Sequence, residues 1–341
     1  MSAMRTVVAI ISAVLQYGTS FVGIPVYLVF LWTVFKYRDI NPFNNSFFVL
    51  FASCGAADLL FMIGHKIFFW VPGGLGWFIP FYRQGGNRLA TFIVNNHFYW
   101  QYTQAFGVFF LSFNRFIALT WPTKHMLWTS KKTILCMVVQ YLVSFVCTVP
   151  HISKCEYQLA VHKGGKALGV SNSNRATSGI CALLSYGILM LVTSCVAVTL
   201  ICMYTIMFYK SWKHSQTEIG PANSRERVRQ LRARRVQVNL AISGLLISVC
   251  LISVAVHLAG GALFAGQFDP YIYYPAGQIL AYIYSSINPF AILITSLKIR
   301  AFFVVTLKSL VGVKPNASDR KRMGITTNRS TAGRNQIVSR V

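Results

Sequence analysis

Three charged side chains interrupt apolar runs in this chain, and each limits the chemistry the chain can carry. Asp58 closes Ser53-Cys-Gly-Ala-Ala-Asp58, a run of small residues inside an apolar stretch. A carboxylate at such a place needs polar partners, and its small neighbours let another helix come close. Asn288, in Ser285-Ser-Ile-Asn288-Pro289-Phe-Ala-Ile292, is a suitable partner, and Pro289 beside it breaks the backbone ladder and frees a carbonyl. Asp58, Asn288 and Pro289 read either as a polar switch or cation site in a helix core, or as a hydrogen-bonded pair that only fixes packing. Arg115 ends another apolar stretch in Ser112-Phe-Asn114-Arg115-Phe116, with Pro122 seven residues on. It either snorkels to a membrane interface or marks a contact face there. Lys66 is the third, an ammonium drawn into a span, where it either meets a ligand or snorkels outward.

Chemistry that makes or breaks bonds has no signature here. There is no His-Glu-x-x-His pair, no Gly-x-Gly-Asp partner and no nucleophile beside a base, so an enzyme is not expected, and neither is a metal or other cofactor. A concave site between helices with a few polar groups is the default place for a small molecule. The candidates for lining it are Lys66, His97, Tyr99, Tyr102, His257 and Tyr282, with His65 and Asn96 beside them. His97 lies eighteen residues before Arg115, about 27 Å at 1.5 Å per residue, and so falls at the opposite membrane face. The alternative for each aromatic group and histidine is an interfacial belt.

The elements that must position these groups are membrane helices. Of 341 residues, 55% are hydrophobic and only 11% charged, and the mean hydropathy is +0.52, too apolar for a soluble domain around one core. Apolar windows at 14–35, 47–70, 95–119, 134–150, 180–208, 238–265 and 277–295 predict seven spans. The formal charge of +25 is gathered into blocks between these windows and is not spread as a nucleic-acid-binding face.

Lys36, Arg38, Lys124, Lys131, Lys132, the cluster in 210–235 and the tail share one side, and outnumber Arg5, Arg83, Arg88, Lys154, Lys163, Lys166 and Arg175 on the other. The positive-inside rule then puts the tail in the cytosol and the N-terminus outside. The first span is expected to serve as its own insertion signal. The expected division is an extracellular N-terminus at 1–13, a bundle at 14–310 that ends in a short interfacial helix, and a basic disordered tail at 311–341. The basic stretch of the loop at 210–237 suits a stop-transfer anchor at anionic lipid. Sequons at Asn44, Asn316 and Asn328 fall on the cytosolic side and should stay unmodified. Of the eight cysteines, only Cys155 and Cys181 flank a polar segment.

Asn114-Arg115-Phe116 with Pro122, Asn288-Pro289 and Asp58, each on the appropriate span, resemble the G-protein-coupled receptors. The run from Asn114-Arg115 to Pro122-Thr-Lys-His-Met-Leu-Trp128 is similar, more narrowly, to the nematode serpentine chemoreceptors of the Srg superfamily, classes gamma and V. The resemblance spans about residues 14–310. It implies an all-α, rhodopsin-like seven-transmembrane bundle in the cell membrane. The implied activity is chemosensory: a small-molecule or pheromone-like cue bound outside, a heterotrimeric G protein met inside, and a place in sensory cilia. Asn114, Arg115, Phe116 and Pro122 would form the coupling face. A transporter or channel is the rival reading, because Asp58 and Asn288 could hold an ion, although the spans show no internal repeat.

The chain also departs from the wider receptor pattern. Asn114 stands where an acid would restrain Arg115, and Ile292 where a tyrosine would reach it. Cys250-Leu-Ile-Ser253 replaces the expected tryptophan and proline, and Tyr282 occupies the place of a retinal-binding lysine. Ala90 takes the place of the usual outer cysteine. Cys155 and Cys181 could supply a substitute disulfide at the oxidising face, or Cys181 could remain reduced in the fifth span.

Overall fold

The computed structural model describes residues 2–40, 42–121, 128–162, 167–172, 181, 186–217, 242, 244–260, 270–316, 318–319 and 323. They form an all-α bundle with one small hairpin. The helices are α1 (Ser2–Lys36), α2 (Ser46–His65), α3 (Ile79–Thr120), α4 (Ser130–Lys154), α5 (Ile188–Thr217), α6 (Gly244–Gly260), α7 (Pro270–Thr295) and α8 (Leu297–Leu310). Between α4 and α5, β1 (Tyr157–His162) pairs antiparallel with β2 (Ala167–Asn172). Five segments are long and apolar enough to cross a membrane: Ala13–Lys36, Ser46–Phe69, Ser130–Lys154, Ile188–Lys210 and Ala276–Thr295. The apolar α6 is shorter, and α3, at 42 residues, carries the third expected window. The chain is thus a polytopic membrane protein by the length and composition of its helices.

Helix α4 shows why lipid is the right surround. The residues it buries are Thr133, Gln140, Ser144, Thr148 and His151, whereas Leu135, Val138, Leu142, Phe145, Val146, Val149 and Ile152 are exposed. A soluble helix would do the reverse. In a bilayer, apolar side chains cost nothing outside, and polar ones must be satisfied within. Ser144 Oγ donates to the Gln140 carbonyl at 2.7 Å and Thr148 Oγ1 to that of Ser144 at 2.8 Å, while Gln140 Nε2 reaches the Thr103 carbonyl of α3 at 3.0 Å.

Helix α3 is the axis of the bundle, packed by α2, α4, α5 and the hairpin. Gly86, at φ 54°, kinks it near its N-terminal end. Before it, α2 does not end cleanly at the expected boundary: the chain continues from Lys66 to Leu75 as a wide π-helical segment that contains Pro72, which has no N–H to give. The Tyr82 hydroxyl of α3 donates to the Ile67 carbonyl of this segment at 2.7 Å. The hairpin was not anticipated from the sequence; it lies against α3 and the π-helical segment, and the Tyr157 N–H donates to Thr91 Oγ1 at 3.2 Å. Cys155, at the end of α4, is joined by a disulfide to Cys181, with 5.5 Å between their Cα atoms.

At the opposite end of the bundle from the hairpin, Asn45 caps α2 and Ser296 caps α8. Helix α8 buries Ile299, Phe302 and Val305 against Phe30, Phe43 and Phe48, so one face of the expected interfacial helix is anchored in the bundle. It closes at Gly312, whose φ of 78° suits glycine at a helix end. Just beyond, Lys308 Nζ meets Asp319 at 2.9 Å, and Met323 joins the same apolar cluster. The basic third loop at 218–241 and most of the tail lie outside the described residues.

Close approach of three helices falls at Gly107 of α3, where a Cβ would lie 2.7 Å from Gln140 Nε2 and 3.0 Å from Cys54 Sγ. Gly107→Val is therefore expected to destabilise the purified protein by about 1–3 kcal/mol through overpacking, and Gly107→Ala by less. Thermal unfolding in detergent checks the order; equal midpoints for the wild type and both variants would refute the contact.

Candidate functional site

Three helices converge on Asp58, which is 1% exposed. Asn288 Nδ2 of α7 donates to its Oδ2 at 2.8 Å, and the Tyr27 hydroxyl of α1 makes a short hydrogen bond to the same oxygen. The proposed pairing of Asp58 with Asn288 is thus present as geometry. Tyr27 is a third member that a reading by sequence motifs passes over, because a tyrosine in an apolar helix carries no positional signal of its own. Next to this group, Gln104 Nε2 of α3 donates to Ser285 Oγ of α7 at 2.9 Å, and Ser285 Oγ donates to the Ala281 carbonyl at 2.8 Å. Helix α7 runs on through Pro289 without ending. Asp58 Oδ1, Asn288 Oδ1 and the Tyr284 hydroxyl are buried and lack hydrogen-bond partners among the described residues. Each such buried polar group carries a desolvation cost that a water or side-chain partner would offset.

Near the C-terminal end of α3, Asn114 and Arg115 both face α2. Asn114 Nδ2 donates to Ser46 Oγ at 3.0 Å, and the Arg115 guanidinium carbon lies 3.9 Å from the centre of the Phe47 ring. The Tyr204 hydroxyl of α5 is 3.0 Å from Ser112 Oγ, one turn before Arg115. Ile292, in the place of the expected tyrosine, is buried in the apolar cluster with Phe48, Phe51 and Leu111. Phe116 packs edge-on to Trp121 at 5.5 Å, and Lys210 Nζ of α5 donates to the Thr120 carbonyl at the end of α3 at 3.2 Å. A cation is well placed at that helix C-terminus, where carbonyls are left without partners. Pro122 lies outside the described residues.

Toward the hairpin end of the bundle the candidate pocket residues separate into groups. His65, His97, Phe61 and Phe69 form an aromatic cluster, with the two imidazole rings 5.6 Å apart. Tyr282 joins it through a 2.7 Å hydrogen bond between its hydroxyl and His65 Nδ1. Lys66 Nζ lies 4.7 Å from the Tyr282 ring and 5.1 Å from that of Tyr17, so its charge rests on aromatic faces. Lys66, His97 and Tyr282 are therefore brought together, with His65 as their hub. The other three stand apart. Tyr102 is fully buried among Phe98, Leu189 and Leu258; Tyr99 packs edge-on to Trp100; His257 stacks on Tyr273 at 4.0 Å and abuts Gly277. Leu159 of the hairpin packs in one cluster with Phe68, Phe69 and Tyr82, so β1 covers the aromatic group from one side.

The described residues thus form an α-helical membrane bundle with a polar core, an arginine near the C-terminal end of its central helix and a hairpin against that helix's other end. Residues 16–309 match the family described as serpentine type 7TM GPCR chemoreceptor Srv, and the chain belongs to that family. It is also similar to serpentine receptor class V-1 of Caenorhabditis elegans, with 27% identity over 170 residues, 49% of this chain and 54% of that receptor. The match thus spans about half the length of that relative. Membership in a chemoreceptor family agrees with the reading of a non-enzymatic receptor.

The core junction can be tested through coupling energies. Tyr27→Phe and Asn288→Leu should each lower stability in detergent by about 0.5–1.5 kcal/mol, the usual net worth of one buried hydrogen bond, since each leaves Asp58 Oδ2 with its other donor. In an Asp58→Ala background the same substitutions should cost little, and additive losses would mean that the three side chains do not act as one unit.

Proposed function

We propose that this chain spans the membrane seven times with its N-terminus outside, binds a small extracellular cue between the outer helix ends, and couples to a cytosolic heterotrimeric G protein. Family membership over residues 16–309 is the observation that carries the reading. The geometry adds a division of labour. The group around His65, Lys66, His97 and Tyr282 is the proposed cue site, since it mixes aromatic faces with a few polar atoms, as small-molecule sites do. Asp58, Asn288 and Tyr27 lie between this group and Arg115, where a rearrangement of α7 against α1 and α2 would alter both ends. Asn114, Arg115 and Phe116, with Pro122, form the proposed coupling face.

The receptor acts, on this reading, as a two-state element. A cue shifts the bundle only to the extent that it binds one state more tightly than the other. The network at Asp58 is the proposed switch, because its bonds join three helices and its spare acceptors give it a second arrangement to adopt. The signal is chemosensory and the receptor's place is a sensory cell membrane, with cilia as the proposed compartment.

Arg115→Glu should abolish cue-dependent signalling through a promiscuous G protein while surface expression stays near wild type; retained signalling would reduce the arginine to an interfacial anchor. Asp58→Asn should shift the dose–response curve, whereas an unchanged curve would leave the core with a packing role alone. Topology is open to glycosylation mapping: an acceptor added at the N-terminus should be modified and one added at the C-terminus should not, and the opposite pattern would invert the bundle.

A further inference from the structure

We propose that Phe47 is the resting seat of Arg115, its ring face taking the role that a neighbouring carboxylate would otherwise play. The inference rests on the coupling role proposed for Arg115. Two consecutive residues of α2, Ser46 and Phe47, take two consecutive residues of α3. Ser46 Oγ accepts from Asn114 Nδ2 at 3.0 Å, and the Phe47 ring lies 3.9 Å from the Arg115 guanidinium carbon. At that separation the planar cation is in contact with the ring, which is the arrangement a guanidinium prefers on an aromatic face. An amide at position 114 has no charge to offer the arginine, and here one of its N–H groups donates to Ser46.

The clasp is built to hold its shape. Asn45 Oδ1 accepts the Phe48 N–H at 3.3 Å and fixes the first turn of α2, so Ser46 and Phe47 are presented from a capped helix end. Phe47 is itself held edge-on by Phe48 at 5.1 Å and leans on Phe51 at 6.2 Å. On α5, the Tyr204 hydroxyl lies 3.0 Å from Ser112 Oγ, one turn before Arg115. A cation–π contact keeps its strength when water is excluded but has no fixed donor–acceptor geometry, so the guanidinium can slide off the Phe47 ring without a directional bond to that ring being broken. Release of Arg115 from Phe47 would then make the guanidinium available to a partner in the cytosol.

Phe47 is a positioning residue, and its test separates the seat from the coupling. In the full-length receptor, Phe47→Leu keeps an apolar side chain but removes the π face, whereas Phe47→Tyr keeps both. Phe47→Leu should raise cue-independent signalling through a promiscuous G protein about tenfold, the factor equivalent to roughly 1.4 kcal/mol of lost preference for the resting state. Phe47→Tyr should leave it low, and Phe47→Leu combined with Arg115→Glu should return it to background.

A second readout needs no G protein: modification of Arg115 by phenylglyoxal in detergent, followed by mass spectrometry, should quicken several-fold in Phe47→Leu and not in Phe47→Tyr. If modification quickens and signalling does not rise, the seat stands and the coupling role of Arg115 falls. If modification is unchanged in Phe47→Leu, or quickens equally in Phe47→Tyr, the ring is not the seat and the proposal is overturned.

Discussion

A carboxylate inside a bilayer cannot turn to water, so Asp58 must be satisfied by the bundle, and the bundle is arranged accordingly. Its Oδ2 takes a donor from α1 and another from α7, which ties both helices to α2 at one depth. Small residues let this happen: Gly55, three positions before Asp58, would place a Cβ 3.0 Å from the Tyr27 ring. Remove the carboxylate and the three helices keep their apolar contacts but lose the one directional reason to meet there. The same requirement recurs along α4, whose polar stripe faces inward, and at Gln104 and Ser285, where α3 is tied to α7. Packing between apolar side chains gives little preference for one helix over the lipid, and hydrogen bonds like these fix which helices are neighbours.

The two ends of the bundle are held by different chemistry. At the N-terminal end of α3 the hairpin lies against its kinked segment, with the Cys155–Cys181 disulfide at the end of α4 and aromatic rings packed with Leu159. At the other end, charge is managed by rings and carbonyls. Arg115 lies on Phe47, and Lys210 binds the last carbonyl of α3 with its ammonium 5.4 Å from the Trp121 ring. Carboxylates are scarce throughout, with seven acids against thirty-two lysines and arginines. In a chain so poor in acids, π faces and backbone oxygens take up cations, while among the described residues Lys308 meets Asp319 and Arg38 meets Asp39.

The motif residues were legible for a physical reason: a charge, amide or proline in an apolar run stands out against its surroundings. Asp58, Asn288 and Arg115 could be singled out in this way, as could the helix after the seventh window, with its end at Gly312. Partners without such contrast could not. Tyr27, Phe47 and Tyr204 are ordinary aromatic residues in aromatic-rich helices, and nothing in their local sequence says which neighbour they face. The hairpin escaped notice because a six-residue strand between two polar segments gives a weak alternating signal, and its stability comes from the surface of α3 beneath it.

By itself the sequence determined that the chain belongs in a membrane, how much of it is helical, and where charge must be accommodated, because hydropathy and the cost of buried charge act residue by residue. The tertiary structure decided the partners. It set Asn114 against Ser46, gave Arg115 an aromatic face in place of a carboxylate, and gathered Lys66, His97 and Tyr282 around His65 while leaving Tyr99, Tyr102 and His257 elsewhere. Those choices depend on the rotation and depth of one helix against the next. That depth and rotation are fixed by close contacts such as the one at Gly107, which join residues far apart in the chain and leave no periodic trace along it.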